Sequence, residues 1–149
     1  MRHAASFALE DTMAATYRSL SVWQLAMDLA EEVYRLSRQF PRDEQFGMTA
    51  QVRRAAVSIP SNIAEGHGRG ADGEFRQFLV IARGSLREVE TQIALATRLG
   101  YHAETATKAF EELAGRVARM LTNLIHVVEL NLSKPKREAR NAKLAARSS

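Results

Sequence analysis

The stretch AAVSIPSNIAEGHGRG, from Ala55 to Gly70, decides the fold class. Ala55, Ile59 and Ile63 recur every four positions, as on one face of a helix. Yet Pro60 stands among them, and Gly66, Gly68 and Gly70 close the stretch. A proline inside a helix removes one backbone hydrogen bond and clashes with the preceding turn, costing about 3 kcal/mol unless something compensates. Ser58, Ser61 and Asn62 surround it with short polar side chains able to bond nearby carbonyls. The reading is one bent helix, kinked at Pro60 and ended at Gly66. A phosphate-cradling loop is the weaker reading. Such loops follow a strand, and a P-loop continues into Gly-Lys-Ser/Thr; here a helical pattern precedes and that motif is missing.

Working outward, four segments share this periodicity. The first runs from Val22 to Gln39, with Ser21 expected as N-cap and Gln24 as its capping-box partner. Val22, Leu25, Leu29, Val33 and Leu36 form its stripe, and Trp23, Met27, Ala30 and Tyr34 form a second beside it. The second segment starts near Asp43 to Gln45 and adds Met48 and Val52 to the stripe of the opening stretch. The third, from Gly73 to Leu99 with Asp72 as its cap, carries Phe75, Leu79, Ala82, Leu86, Val89, Ile93 and Ala96. Gly100 is placed to close it in a left-handed conformation. The fourth, from Ala103 to Leu132, carries Ala106, Phe110, Leu113, Val117, Leu121, Leu124 and Val128.

No alternating apolar-polar run and no hairpin signal is present. The class is all-α, an antiparallel up-down-up-down four-helix bundle with a Pro-kinked second helix, since short connections make successive helices antiparallel neighbours. Residues 21–132 form the bundle, 1–20 an N-terminal extension and 133–149 a basic C-terminal tail. The 149 residues suffice for one core, and with no cysteine there is neither a disulfide nor a thiolate metal site.

Charge is uneven. After Leu132 come Lys134, Lys136, Arg137, Arg140, Lys143 and Arg147 against the single acid Glu138. The overall +4 therefore arises at this end, and the preceding residues carry a net −1. Such a tail attracts polyanions through counterion release; a disordered, solubilising terminus explains the same composition equally well. Glu10 and Asp11 interrupt the N-terminal apolar run, and no stretch nears the length that crosses a bilayer. A cytoplasmic protein is expected.

The segments VWQLAMDLAEEVYRLSRQFP, FGMTAQVRRAAVSIPSNIAEGHGRG and EFRQFLVIARGSLREVETQIALATRLGY resemble the four-helix-bundle family encoded within intervening sequences of bacterial 23S ribosomal RNA genes. SIPSNIAEG is the most distinctive string, and the resemblance covers about Ser19 to Tyr101. It implies a bundle that assembles into a homopentamer. The family also looks related to the accessory variability proteins of diversity-generating retroelements, pentamers implicated in nucleic-acid and reverse-transcriptase binding. No catalytic residues come with the resemblance.

The residues themselves agree in offering no catalytic set. His3, His67, His102 and His126 are scattered, and no Glu-x-x-His occurs, so a carboxylate-bridged metal pair is not expected. Adjacent acids such as Glu31 and Glu32 diverge on a helix, and Ser58, Ser61 and Ser85 suit local bonding. Neither enzyme activity, a cofactor nor a small-molecule substrate is expected. Glu65 is expected to hold the glycine-rich turn through its backbone amides.

Arginine is more informative. Arg69, Arg76, Arg83 and Arg87 recur at seven, seven and four, so the last three share one helix face. Arginine's planar fork suits phosphate. With Lys134, Lys136, Arg137 and Arg140 they form the expected nucleic-acid-binding set, for RNA or DNA. The alternative is a salt-bridge network, with Glu65 and Glu90 in reach, and a protein-protein scaffold. Trp23, Met27 and Tyr34, with Phe78 on the third segment, exceed what one bundle covers and mark the expected oligomer interface.

Overall fold

The computed structural model describes residues 16–147. Among them are four α-helices and no strand: α1 (Ser21–Ser37), α2 (Met48–Gly68), α3 (Asp72–Arg98) and α4 (Lys108–Arg147). Short 3₁₀ turns precede α1, α2 and α4. Each helix packs against the next, and α4 closes the set against α1, which is the arrangement of a four-helix bundle. Across α2–α3, Gly66 meets Phe78 while Ser58 meets Ser85, so these two helices run in opposite directions.

The expected stripes supply the core. Leu29, Val33 and Leu36 from α1, Val52, Ile59 and Ile63 from α2, Leu79, Leu86 and Val89 from α3, and Val117 and Leu121 from α4 are all buried. On α4 the seam is rotated from expectation. Ala114 and Ile125 are buried, whereas Leu113 and Leu124 are only partly covered at its edge. Ala26 and Ala30 of α1 are also buried, because small side chains let neighbouring helices approach.

Helix ends differ from the reading of the sequence. Leu20, not Ser21, is the N-cap of α1, without a side-chain cap bond; the Gln24 side chain instead donates to the carbonyl of Arg18 at 2.9 Å. Asp72 is the first residue of α3 rather than its cap, which is Ala71. The region near Asp43 is a separate 3₁₀ turn, Arg42–Glu44, and α2 begins at Met48. There the Glu44 carboxylate accepts the Met48 amide at 2.7 Å, satisfying one exposed donor of the helix start. Gly100 adopts φ +75°, and the amides of Gly100 and Tyr101 bond back to Thr97 and Ala96, a Schellman closure.

The opening stretch is helical through Pro60 and beyond Gly66 to Gly68. Asn62 donates to the Ser58 carbonyl at 2.7 Å and to its hydroxyl at 2.9 Å, and that hydroxyl bonds Ser85 on α3 at 2.9 Å. Gly66 is no terminator. A Cβ there would lie 2.5 Å from the Cβ of Phe78 and 3.1 Å from the Phe75 ring, so glycine sets how closely α2 and α3 approach.

The largest departure is α4. It spans 40 residues, about 60 Å, and continues past Leu132 through Pro135 to Arg147. Its last buried residue is Val128. Residues 129–147 therefore extend about 28 Å further as a helix. Alanine, lysine and arginine after Pro135 are strong helix formers, which outweighs the break expected at Leu132.

Candidate functional site

Two surfaces of the bundle hold the residues singled out from the sequence. The first lies between α1 and α2. Trp23, Met27 and Tyr34 from α1 and Val57, Pro60 and Ala64 from α2 line an open groove of about 860 Å³. Met27 and Tyr34 are each 39% exposed. Tyr17, in the turn before α1, stands edge-on to Trp23 with ring centroids 5.2 Å apart. The groove lining carries both signs: Asp28 and Glu31 have no ion pair among the described residues, and Arg35 and Arg38 line it with them. Glu32 is committed to Arg35 by a two-pronged contact. Beside the groove, Arg53 lies 4.7 Å over the Tyr34 ring and donates to Ser37 at 2.8 Å.

Phe78 is not part of this groove. It sits at the α2–α3 junction, where Gly66 meets its Cβ and the Arg69 guanidinium lies 5.5 Å over its ring. The residue that sequence reasoning missed is Phe46, 90% exposed between the Arg42–Glu44 turn and α2. An aromatic outside every helical stripe was the available signal.

The second surface is basic. Arg76, Arg83 and Arg87 lie on α3, while Lys134, Lys136, Arg137 and Arg140 are exposed on the projecting part of α4. Arg69 stands in the turn before α3, and Arg76 reaches across to Glu129 of α4 at 2.8 Å. Since Glu129 precedes Lys134 by little more than one turn, the α2–α3 turn and the root of the projecting helix share one end of the bundle. Lys136, Arg140, Lys143 and Arg147 follow at steps of four, three and four, so they form one row along the projecting helix. Arg119 and Asn123 of α4 join Arg87 in a shallow cleft further down.

Three of the four strip arginines hold carboxylates. Arg69 pairs with Glu65 at 2.9 Å, Arg76 with Glu129 and Arg87 with Glu90 at 2.7 Å. The Glu65 hydrogen bond also raises the pKa of Arg69 above its ordinary value. Glu65 thus grips the Arg69 side chain and not the backbone amides of the turn. Arg83 is partly buried and has no ion pair among the described residues. All these pairs are solvent-exposed, and such pairs are worth at most about 1 kcal/mol; a phosphate can displace them. No three of His, Cys, Asp and Glu converge as a metal site among the described residues, and no helix there is long and apolar enough to cross a membrane.

A family model described as 23S rRNA-intervening sequence protein matches residues 18–123, which reach into all four helices. The chain belongs to this family. No curated protein matches it. Among solved structures it is similar to a protein of unknown function from the S23 ribosomal protein family of Bacteroides thetaiotaomicron VPI-5482. The identity is 22% and the TM-score 0.64, covering 70% of this chain and 97% of the other. At that identity the likeness concerns the fold. The family match ends before the projecting part of α4, so the basic row lies outside the matched residues.

Proposed function

We propose that this intervening-sequence protein is a non-enzymatic, cytoplasmic bundle that self-associates as a homopentamer and holds the phosphate backbone of RNA or DNA. One observation carries the nucleic-acid part: α4 leaves the bundle as a helix bearing six basic residues and one acid over its last 14 described residues. In its helical form this segment sets Lys136, Arg140, Lys143 and Arg147 in one row, so several meet one strand together. Arg69, Arg76, Arg83 and Arg87 continue the positive surface onto the bundle. Backbone contacts of this kind position a nucleic acid without reading its sequence, and in an oligomer they repeat, so that weak sites add.

Self-association is supported by the apolar groove. Trp23, Met27, Tyr34, Val57 and Pro60 line one surface, and exposed patches of aromatic and methionine side chains are typical interface cores. Light scattering of the intact chain measures the mass.

A second reading, a scaffold that binds only proteins, is favoured by the ion pairs of Arg69, Arg76 and Arg87. Gel retention of RNA and DNA at several salt concentrations separates the two. Retention should weaken steeply with salt. Replacing Lys134, Lys136, Arg137 and Arg140 by alanine should flatten the slope of log affinity against log salt. On duplex DNA the change is about 0.9 for each phosphate that is no longer neutralised. Replacing Arg76, Arg83 and Arg87 should weaken retention further. No retention at low salt selects the scaffold; retention untouched by either set makes the arginines structural.

A further inference from the structure

The end of α4 carries more than a row of cations. Every residue from Lys134 to Arg147 is exposed, and none of the six cations there is in an ion pair among the described residues. Lys136, Arg140, Lys143 and Arg147 fall within about 60° of one another around the helix axis. Arg137, Asn141 and Leu144 each stand one residue, about 100°, past a member of that row. Steps of four and three make them a second stripe beside it. Lys134 lies at the far edge of the second stripe. The remaining face holds Ala139, Ala142, Ala145 and Ala146 with the single acid, Glu138. One side of the helix thus gathers all six cations and the Asn141 amide, and the other is small and bears the negative charge.

We infer that this helix enters the major groove of duplex DNA, where the row of Lys136, Arg140, Lys143 and Arg147 holds one phosphate backbone and Arg137 and Asn141 meet base edges. The inference rests on the nucleic-acid binding proposed above and adds sequence reading to it. An α-helix with its side chains is about 10–12 Å across, and the B-form major groove is about 12 Å wide. Cations on the backbone fix the register of a protein on the duplex, while contacts in the groove carry the specificity. Arginine donates twice to the O6 and N7 of guanine, and asparagine bonds the N6 and N7 of adenine. Lys134 faces the second backbone, and the alanine face with Glu138 turns to solvent. Other polyanions fit this helix less well. The major groove of an RNA duplex is deep and too narrow for side chains to read. Single strands are held on aromatic side chains that stack with the bases, and none occurs from Glu129 to Arg147. A membrane surface takes a helix with large apolar side chains opposite its basic face, where this one has alanine.

The test uses the full chain. Duplex DNA with a randomised central segment is retained on it, amplified and sequenced through repeated rounds. A short pattern with guanine and adenine about two base pairs apart should emerge, since Arg137 and Asn141 stand about 6 Å apart along the helix axis. Asn141→Ala should weaken binding of the selected duplex by roughly 5- to 150-fold. It should leave the affinity for unselected duplex, and the salt slope of both, unchanged. Alanine is the better helix former, so such a loss is not one of helicity. Arg140→Ala should instead weaken both duplexes alike and lower the salt slope by about 0.9. The amides of residues 137–143 should exchange with solvent more slowly once the selected duplex is bound. If no pattern emerges, if Asn141→Ala does not distinguish selected from unselected duplex, or if those amides exchange as before, the inference falls while backbone binding stands. Tighter retention of duplex RNA or of single strands than of the selected DNA overturns it in the same way. A chain that retains no nucleic acid at low salt removes the nucleic-acid reading itself, and this inference with it.

Discussion

Two prolines lie inside helices of this protein, and their surroundings are opposites. Pro60 is buried in α2, flanked by the Ser58–Asn62–Ser85 hydrogen bonds and followed six residues later by the Gly66–Phe78 contact. Pro135 is exposed in α4, seven residues past Val128, the last buried residue. Each removes the same backbone bond. Around Pro60 the loss is offset by packing, since the ring is buried and α2 continues as a helix to Gly68. Around Pro135 every residue from Lys134 to Arg147 is exposed, and the helix resumes on the propensity of the residues that follow. Helicity at one proline belongs to the tertiary structure, and at the other to local sequence. The bundle is thus organised by contacts, while its basic extension is organised by composition.

The strongest attempt to break the packed side is Gly66→Ala. The added methyl would stand 2.5 Å from the Phe78 Cβ, a backbone-attached atom that no rotamer change can move. The α2–α3 junction must then open, and overpacking of this sort costs about 1–3 kcal/mol. We expect the upper end, about 3 kcal/mol, seen in thermal unfolding as a Tm lower by roughly 8–15 °C. A shift under about 2 °C would mean that the close approach of the two helices is not needed.

Gly66 also shows how far the fold was legible beforehand. Six of the seven stripe positions of α3 are buried, Phe75 alone being only partly covered, because a long amphipathic repeat has one sensible orientation. Glycine after an apolar helix reads equally as a terminator or as a contact. Only Phe78, from another helix, decides between them. The Ser21 cap failed for a related reason: capping depends on backbone geometry at Leu20, to which composition is blind. Among the site residues, the groove positions Trp23, Met27 and Tyr34 were visible as a surplus stripe, but their partners Val57, Pro60 and Ala64 come from α2. Phe46 belongs to no period at all. The pairing of Arg76 with Glu129 joins residues 53 apart in sequence, and spacing along one helix does not reach that far.

A smaller effect sharpens the comparison. Pro60→Ala restores an amide to α2, worth about 3 kcal/mol where the bond forms freely. It removes two buried ring methylenes, at about 0.8 kcal/mol each, and frees the unfolded chain by about 0.4–1 kcal/mol. The balance favours alanine by about 0.5–1 kcal/mol, read as a denaturation midpoint moved slightly upward with the slope unchanged. A destabilisation of about 2 kcal/mol or more would show that the pyrrolidine ring is an organising part of the α1–α2 surface and not a tolerated one. The same variant would then also weaken self-association, since Pro60 lines the groove.

The smallest global effect belongs to Pro135→Ala. The restored bond lies in a segment with no buried residue among those described, so little of its gain reaches the core, and the thermal midpoint should move by less than about 1 °C. Locally the outcome differs. A helix end whose side chains are exposed opens with a free energy near zero, and the amides of residues 137–143 should exchange with solvent almost as fast as in an unfolded chain. With alanine at 135 the projecting helix joins α4 without interruption, and these amides should exchange several-fold more slowly. If exchange is already slow in the unaltered protein, the extension is held by something other than its own composition, and the contrast between the two prolines fails at its exposed end. If the midpoint rises by several degrees, the extension and bundle unfold as one unit, and the basic row is then as firmly positioned as the arginines of α3.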